Sequence, residues 1–287
     1  ITKLEALSAL APLHNPANIM GIKVMQELLP GKKNIAVFDT AFHQTMEPKA
    51  YMYALPYADY EDFKVRKYGF HGTSHKYVSG VAAEVIGGEE TKIIVCHLGN
   101  GASMSAVKNG KVVDTSMGLT PLQGLMMGTR CGDLDPAAVL YVMEKRGLDA
   151  AGMDKRMNKE SGLLGITGYS SDFRDIMKAS KEGDERAKLA FEMFAYRVKS
   201  YIGAYSAAMG GVDAIAFTGG IGENAFEVRE EICKGLEFLG VDFDFEKNLV
   251  RASGTVELTK PNSKVKVLKI ETAEELMIAN DTYRLGK

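Results

Sequence analysis

Residues 92–115, KIIVCHLGNGASMSAVKNGKVVDT, contain the strongest β-strand pattern in the chain and decide its fold class. The apolar run 93–96 predicts a strand over 92–97 that is buried on both faces, and a glycine turn ends it. Residues 102–107 predict a second strand, and the Asn-Gly hairpin dipeptide at 109–110 leads to a third strand over 111–115. These residues therefore predict three consecutive antiparallel strands.

Outward from this meander, apolar runs alternate with helical patterns. Further buried strands are predicted at 34–40, 213–218 and 264–270, and a glycine turn that opens a helix follows the second of them. A long amphipathic helix is predicted over 184–209, with Asp184 as its cap. The other predicted helices cover 1–11, 17–29, 75–86 (with Ser74 as cap), 136–146, 225–239 and 273–283. A meander combined with strand–helix–strand units predicts an α/β fold with a mixed sheet.

The composition is that of an ordinary globular protein and excludes several functional classes. Hydrophobic residues make up 46% and charged residues 25% of the 287 residues, a length typical of two domains. The 35 basic and 37 acidic side chains nearly cancel, so nothing attracts nucleic acid or an anionic membrane in general. No apolar run reaches the ~18 residues that a membrane span needs. Three widely spaced cysteines, Cys96, Cys131 and Cys233, argue against a disulfide scaffold and fit a reducing, cytoplasmic environment.

Two glycine turns, at 97–101 and 218–224, each follow a predicted buried strand. Glycine lets backbone N–H groups approach a phosphate closely, and the helix that begins at the second turn favours an anion. Neither turn has the Gly-Lys-Ser/Thr of a Walker sequence or the Gly-x-Gly-x-x-Gly dinucleotide fingerprint. Taken alone, each turn fits an ordinary connection better than a phosphate site, and the presence of two such turns strengthens the phosphate interpretation without deciding it.

His71 and His75 are four residues apart, a spacing that suggests a metal pair on one helix. Gly72 between them argues against a continuous helix, and no third ligand is near in sequence, so a metal pair is the weaker interpretation. A histidine in a glycine-flanked loop fits a donor to a phosphoryl oxygen. A structural hydrogen bond fits equally well.

Several charged residues stand where α/β folds place site groups. Arg130 lies in a glycine-lined loop and suits a planar clamp for carboxylate or phosphoryl oxygens, with an ion pair to Asp133 or Asp135 as the alternative. Asp39 ends a predicted buried strand, where site carboxylates occur, and a cap or turn role is the alternative. Asp172 and Glu274 stand at predicted helix starts. Asp172 needs no role beyond that of a cap or first-turn acid, and Glu274 needs none beyond complementing the helix dipole.

These segments occur together, and in this order, in one known family. The chain resembles the acetate kinase family over essentially its whole length. The segments that carry the resemblance are APLHNP (11–16), FDTAFH (38–43), YGFHGTSH (68–75), HLGNG (97–101), GTRCGD (128–133), DFR (172–174), GGIGEN (219–224) and EEL (274–276). The family belongs to the actin/hexokinase/sugar-kinase superfamily. The resemblance therefore implies a ribonuclease-H-like (actin-type ATPase) domain and part of a second like domain around a nucleotide cleft.

The resemblance implies the reaction ATP + acetate ⇌ ADP + acetyl phosphate, with Mg²⁺ and direct in-line transfer. It implies catalytic roles for Asp39, His71 and Arg130. Nucleotide-binding roles are implied for His97, Leu98, Gly99, Asn100, Gly101, Asp172, Phe173, Arg174, Gly220, Ile221, Gly222, Glu223 and Asn224. Substrate-binding roles are implied for Leu13, His14, Phe70 and Pro121, and a metal-binding role for Glu274. Acetate is already ionised at pH 7, so orienting other groups suits Asp39 better than acting as a strong base.

The resemblance also implies a domain organisation. Residues 1–41 are expected to be the end of a first domain, 42–273 the nucleotide and dimer domain, and 274–287 a final helix that returns to the first domain. An upstream segment of the family is not present in this sequence, which begins with Ile1. The helix 184–209 has apolar residues around much of its circumference, which predicts burial on more than one side. The resemblance favours a homodimer formed through this helix, and core burial within the monomer is the alternative. From the missing segment we expect a separate N-terminal fragment as a partner if the protein is cleaved, and little activity from this chain alone.

Two alternatives to acetate kinase remain open. The large side chains at the implied methyl pocket favour a short acid, but each excluded methylene is worth only ~1–3 kcal/mol, so a propionate or butyrate kinase of the same fold is close. A non-catalytic nucleotide-binding or dimerisation module is the alternative from another functional class.

Overall fold

The computed structural model describes residues 1–8, 15–88 and 90–287, and the chain divides into two compact units. The first unit contains residues 1–38 and 274–287, and the second contains residues 39–273. The predicted domain boundaries, after residues 41 and 273, stay a prediction.

The described residues form α-helices and one sheet. In chain order the helices are α1 Thr2–Ala6, α2 Asn15–Leu28, α3 Pro48–Tyr51, α4 Tyr57–Phe63, α5 Gly72–Ile86, α6 Pro136–Arg146, α7 Ala150–Lys159, α8 Gly162–Thr167, α9 Phe173–Lys181, α10 Glu185–Met209, α11 Gly219–Asn224, α12 Phe226–Cys233, α13 Phe245–Leu249 and α14 Glu274–Gly286. Short 3₁₀ helices cover Ala41–Thr45 and Glu237–Leu239. The strands are β1 Lys92–Leu98, β2 Ala102–Lys108, β3 Lys111–Thr115, β4 Ala214–Thr218, β5 Val256–Glu257 and β6 Lys266–Lys269. Among these helices, none is long and apolar enough to cross a membrane.

The first unit consists of α1, α2, α14 and the segment after α2. The strand predicted at 34–40 is wrong, because residues 33–38 have no regular secondary structure and residues 39–40 form a turn. Phe38 is 50% exposed, and no described strand accepts hydrogen bonds from this segment. An apolar run forms a strand only where a neighbouring strand pairs with its backbone groups.

The second unit is built on a six-stranded sheet in the order β3-β2-β1-β4-β6-β5. β1 pairs antiparallel with β2 and parallel with β4, so the predicted α/β class with a mixed sheet is confirmed. Alternate side chains of β1 enter two apolar clusters on opposite faces of the sheet. Ile93 and Val95 share one with residues of α5, and Ile94 and Cys96 share the other with residues of α10.

Local signals in the sequence set most element boundaries. The Asp184 carboxylate accepts hydrogen bonds from two N–H groups in the first turn of α10, as predicted. Asn109 and Gly110 have φ of +52° and +72°, the conformation that the predicted hairpin needs. The cap predicted at Ser74 is wrong, because α5 begins at Gly72. The carboxylate of Asp39, which is distant in sequence, accepts hydrogen bonds from the N–H groups at the start of this helix.

Candidate active site

The two glycine turns lie side by side at one edge of the sheet. β1 and β4 are parallel neighbours, and His97 pairs with Thr218 at their ends. Their carboxyl ends therefore reach the same edge, where open α/β sheets bind ligands. A Cβ on Gly219, whose φ is +77°, would lie 2.8 Å from the Leu98 carbonyl oxygen, so the two turns can pass this closely only with glycine here.

A cleft of 770 Å³ opens beside these turns. Its volume lies within the roughly 300–1,000 Å³ of small-molecule sites. The predicted nucleotide-binding residues in its wall are Gly99, Asn100, Asp172, Phe173, Arg174, Gly220, Ile221 and Asn224. Phe173 is 7% exposed and also packs on Phe194, with ring centroids 5.5 Å apart, so one side of the cleft is continuous with the core.

The other predicted nucleotide-binding residues do not line this cleft: His97, Leu98, Gly101, Gly222 and Glu223. The Glu223 carboxylate holds the second glycine turn from within, accepting hydrogen bonds from the Gly219 N–H at 2.9 Å and the Thr272 N–H at 3.2 Å. It also accepts one from the Thr218 hydroxyl at 3.2 Å. These contacts place Glu223 in the framework of the turn, and its nucleotide-binding role stays a prediction.

Asp172 and Arg174 form an exposed pair at the cleft wall. The Asp172 carboxylate caps α9 by accepting from the Arg174 N–H at 2.8 Å, and it also contacts the Arg174 guanidinium at 2.6 Å. The hydrogen bonds and charge of Arg174 lower the pKa of Asp172 to about 2. Asp172 therefore caps a helix, which was the alternative role given to it from the sequence. Asp172 and Arg174 also both line the cleft.

Asp39 holds the backbone of the neighbouring histidine loop. Its carboxylate accepts from the His71 N–H at 2.6 Å and from the Thr73 N–H at 3.4 Å, while its carbonyl accepts from the Gly72 N–H at 2.9 Å. His71 has a φ of +57°, which a residue with a side chain adopts only at a cost. A Cβ on Gly72 would collide with the Asp39 carbonyl oxygen. Asp39 thus caps α5 and fixes His71 in this conformation.

His71 and Arg130 face the same point in the site. A Cβ placed on Gly101 would lie 3.6 Å from His71 Nε2 and 3.6 Å from Arg130 Nη1. The guanidinium donates to the Pro121 carbonyl oxygen at 3.1 Å and contacts the Met127 sulfur at 3.4 Å. A half-buried cation and an imidazole nitrogen therefore meet beside the first glycine turn.

The alternative ion pair of Arg130 is wrong. Asp133 accepts instead from the Gly124 N–H and the Tyr201 hydroxyl, and Asp135 caps α6. No described carboxylate lies within ion-pair distance of Arg130. Burial lowers the pKa of Arg130 from its ordinary value, which stays far above neutrality for a guanidinium. The positive charge is therefore free to meet an anion.

Four histidines cluster behind this point. His43 lies on the 3₁₀ helix after Asp39, His71 on the loop before α5, His75 on α5 and His97 on β1. Burial lowers the pKa of His43 and of His71 to about 4, and that of His97 to about 3. Burial also holds the pKa of His75 well below its usual value. All four are therefore neutral at pH 7 in the chain without ligands.

The metal pair considered for His71 and His75 is not formed. His71 Nδ1 lies 2.9 Å from Ser103 Oγ, and His75 Nε2 lies 2.7 Å from the same atom. The described ranges contain no group of three or more His, Cys, Asp or Glu that could hold a metal ion. Sequence reasoning missed Ser103, although alternating serines on a predicted buried strand (ASMSA, 102–106) are a signal for buried polar partners.

The implied substrate-binding residues have different outcomes. Pro121 touches Arg130 through its carbonyl, and Phe70, next to His71, packs partly buried against the core. Leu13 and His14 lie outside the described residues. Glu274 lies in the first turn of α14, in the first unit.

Comparisons with known proteins point to one family. The model of the Acetokinase family matches residues 1–280. The chain is 67% identical to an acetate kinase of Fusobacterium nucleatum over 99% of this chain and 72% of that protein. It resembles the crystal structure of Porphyromonas gingivalis acetate kinase with a TM-score of 0.97 and 52% identity, over 100% of this chain and 72% of the other. A propionate kinase from Francisella tularensis matches with a TM-score of 0.90 and 46% identity, over 98% of this chain and 72% of the other.

Proposed function

The chain belongs to the acetokinase family, and we propose that it carries out the acetate kinase reaction, the reversible transfer of a phosphoryl group from ATP to acetate. The observation that carries this proposal is the meeting of Arg130 and His71 at Gly101, beside a nucleotide-sized cleft. A transferring phosphoryl group develops negative charge on its oxygens, and such a reaction needs placement and charge neutralisation more than covalent chemistry.

Each group in the second unit has a distinct part in this proposal. The cleft between the two glycine turns holds the nucleotide, with its phosphates toward Asn100. Arg130 binds the transferring phosphoryl oxygens with its fork of N–H groups, since none of the described carboxylates competes for it. His71 Nε2 meets the same group from the other side. Asp39 needs to remove no proton, because acetate is already ionised, and it keeps His71 in place.

Magnesium enters this proposal with the nucleotide, as part of the substrate. Mg²⁺ commonly takes one or two carboxylates and fills its other positions with phosphate oxygens and water, so a protein cage of three ligands is not required. The described residues contain no such cage. Glu274, an acid in the first turn of α14, stays the proposed protein ligand.

Two proposals concern partners. Self-association rests on the family resemblance alone, because the apolar residues of α10 on which the sequence argument relied are largely buried in this chain's own core, including Phe194, Val198 and Ile202. Sedimentation at micromolar concentration tests it, and a monomer would contradict it. A separate N-terminal fragment as a partner is tested by intact-mass spectrometry of the natural protein.

The test of the function is Arg130→Ala in the natural protein that carries this chain. The kcat for acetyl phosphate formation should fall by about a hundredfold or more, and the KM for ATP should change little. The reason is that Arg130 neutralises charge that develops only in the transition state. Arg130→Lys should recover only part of the loss, since an ammonium cannot form a fork. A change confined to the KM for ATP would make Arg130 a ground-state nucleotide contact and the assignment wrong.

Propionate kinase is the second candidate, favoured by the structural likeness to the Francisella tularensis protein. The same assay decides between them when acetate and propionate are compared by kcat/KM. Phe70 and Pro121 are bulky and occupy positions that the resemblance assigns to a methyl pocket. We expect acetate to be preferred by about tenfold to a hundredfold, the effect of one methylene.

A further inference from the structure

A buried hydroxyl connects His71 to a second histidine. Ser103 Oγ on β2 lies 2.9 Å from His71 Nδ1 and 2.7 Å from His75 Nε2. Ser103 and His75 are both fully buried. A hydroxyl has one hydrogen to donate, so it donates to one ring and accepts from the other.

The His75 ring decides the direction of these hydrogen bonds. Burial keeps His75 neutral, so its ring carries a single N–H. Its Nδ1 has no hydrogen-bond partner among the residues that the structure describes. Buried N–H groups are left without partners more rarely than acceptors, so the hydrogen belongs on Nε2, which donates to Ser103. The Ser103 hydroxyl then donates to His71 Nδ1.

A parallel pathway on the same strand runs in the same direction. His43 Nε2 lies 3.1 Å from Ser105 Oγ, which lies 3.0 Å from the Thr115 hydroxyl. Thr115 donates to the Met104 carbonyl oxygen at 2.9 Å, and a carbonyl can only accept. The order of donors is therefore fixed from His43 Nε2 through both hydroxyls. His43 Nδ1 has no described partner either, so the two buried rings share one tautomer.

We propose that Ser103, backed by His75, is a positioning residue that fixes neutral His71 as the tautomer with hydrogen on Nε2. Because Nδ1 accepts from Ser103, the single N–H of His71 is on the nitrogen that faces Gly101 beside Arg130. That N–H donates to a phosphoryl oxygen, whereas the other tautomer would aim a lone pair at it. This inference rests on the proposed function for the use of the N–H, but the tautomer itself does not depend on it.

The primary measurement is the tautomer of His71 in the unaltered chain at neutral pH. Long-range ¹H–¹⁵N correlation spectra distinguish a ring nitrogen that carries hydrogen from one that is bare, and His71→Gln assigns the signals. We expect hydrogen on Nε2 and a bare Nδ1. Hydrogen on Nδ1 would overturn the inference without the need for any further variant.

Two matched variants test the role of the hydroxyl. Ser103→Ala should give a mixture of His71 tautomers and lower kcat by about twofold to tenfold, because only the chains with hydrogen on Nε2 are competent, with the KM for ATP nearly unchanged. Ser105→Ala removes an equally buried hydroxyl two residues along the strand and should leave both the His71 tautomer and kcat as they are. Equal losses of kcat in both variants would mean a merely structural role.

The outcomes separate this inference from the proposed function. If the natural protein forms no acetyl phosphate while His71 carries its hydrogen on Nε2, the function is wrong and the tautomer stands. If it forms acetyl phosphate while Ser103→Ala changes neither the spectrum nor kcat, the function stands and the role of Ser103 is wrong.

Discussion

Mild acid should destabilise the second unit through its four clustered histidines. The folded chain holds their pKa values at about 4 for His43 and His71, at about 3 for His97 and well below the usual value for His75. An unfolded histidine titrates near 6.5. Between these limits the unfolded chain binds protons that the folded chain does not, so the free energy of unfolding falls as the pH falls.

The magnitude follows from the number of protons. Each proton bound only by the unfolded chain changes the free energy of unfolding by about 1.4 kcal/mol per pH unit. Four histidines give a slope of about 5 kcal/mol per pH unit below pH 6, and a loss of roughly 6 kcal/mol between pH 6.5 and pH 5. Domains have only about 5–15 kcal/mol of stability, so this loss brings the unit close to its unfolding midpoint. Carboxylates with lowered pKa values, such as Asp172 at about 2, lose their contribution mainly at lower pH.

Urea unfolding at about pH 7, 6 and 5 measures this slope directly. His43→Gln is the matched control, because it removes one of the four rings and should reduce the slope by about a quarter, whatever its effect on stability at pH 7. If the free energy of unfolding changed by less than about 1.4 kcal/mol per pH unit, the value that one proton gives, the cluster would have to be solvated or charged in the folded chain. The burial argument would then be wrong.

Two pairs of matched variants test the framework of the second unit. Gly72→Ala should cost about 1–3 kcal/mol and lower kcat, because its Cβ collides with the Asp39 carbonyl, whereas Gly80→Ala in the same helix has open space and should stabilise by about 0.5–1 kcal/mol. If Gly72→Ala and Gly80→Ala changed the free energy of unfolding equally in urea, the predicted collision at Gly72 would be wrong. Asp184→Ala should cost about 1 kcal/mol through loss of the cap of α10, and Asp184→Asn much less. Similar losses in the two variants would mean that the charge, not the cap, is what matters.

The sequence predicted the second unit well wherever a local signal decided the outcome. Strand β3 and helix α6 have the predicted boundaries, and α10 begins directly after the predicted cap, because hairpin glycines, Pro136 and Asp184 act within a few residues. The strand expected at 34–40 shows the limit of such reasoning. Its apolar pattern is genuine, but a strand depends on pairing with a neighbour, which no local pattern encodes.

The candidate site was predictable as residue types and not as contacts. The loops and the family resemblance point to Arg130 and His71, whereas the lack of a carboxylate beside Arg130 among the described residues follows from Asp133 and Asp135 being engaged elsewhere. The sequence pattern places Asp39 at a strand end with a cap or turn role as the alternative, and Asp39 does cap a helix, one that starts more than thirty residues later. Hydrogen bonds across such separations come from the tertiary fold, so spacing in the sequence cannot reveal them.

The position of β4 in the sheet has a consequence for the order in which the site is built. β4 pairs with β1 across about 120 residues of intervening chain, whereas β1 pairs with β2, and β2 with β3, directly along the chain. Once synthesis has passed Arg130, the chain already contains both groups that face Gly101, the side chains of His71 and Arg130. The second glycine turn is added only when β4 docks. A growing chain should therefore assemble the half of the candidate site that contains His71 and Arg130 before the half that contains the second glycine turn, and a nucleotide that binds the cleft can stabilise only the finished unit.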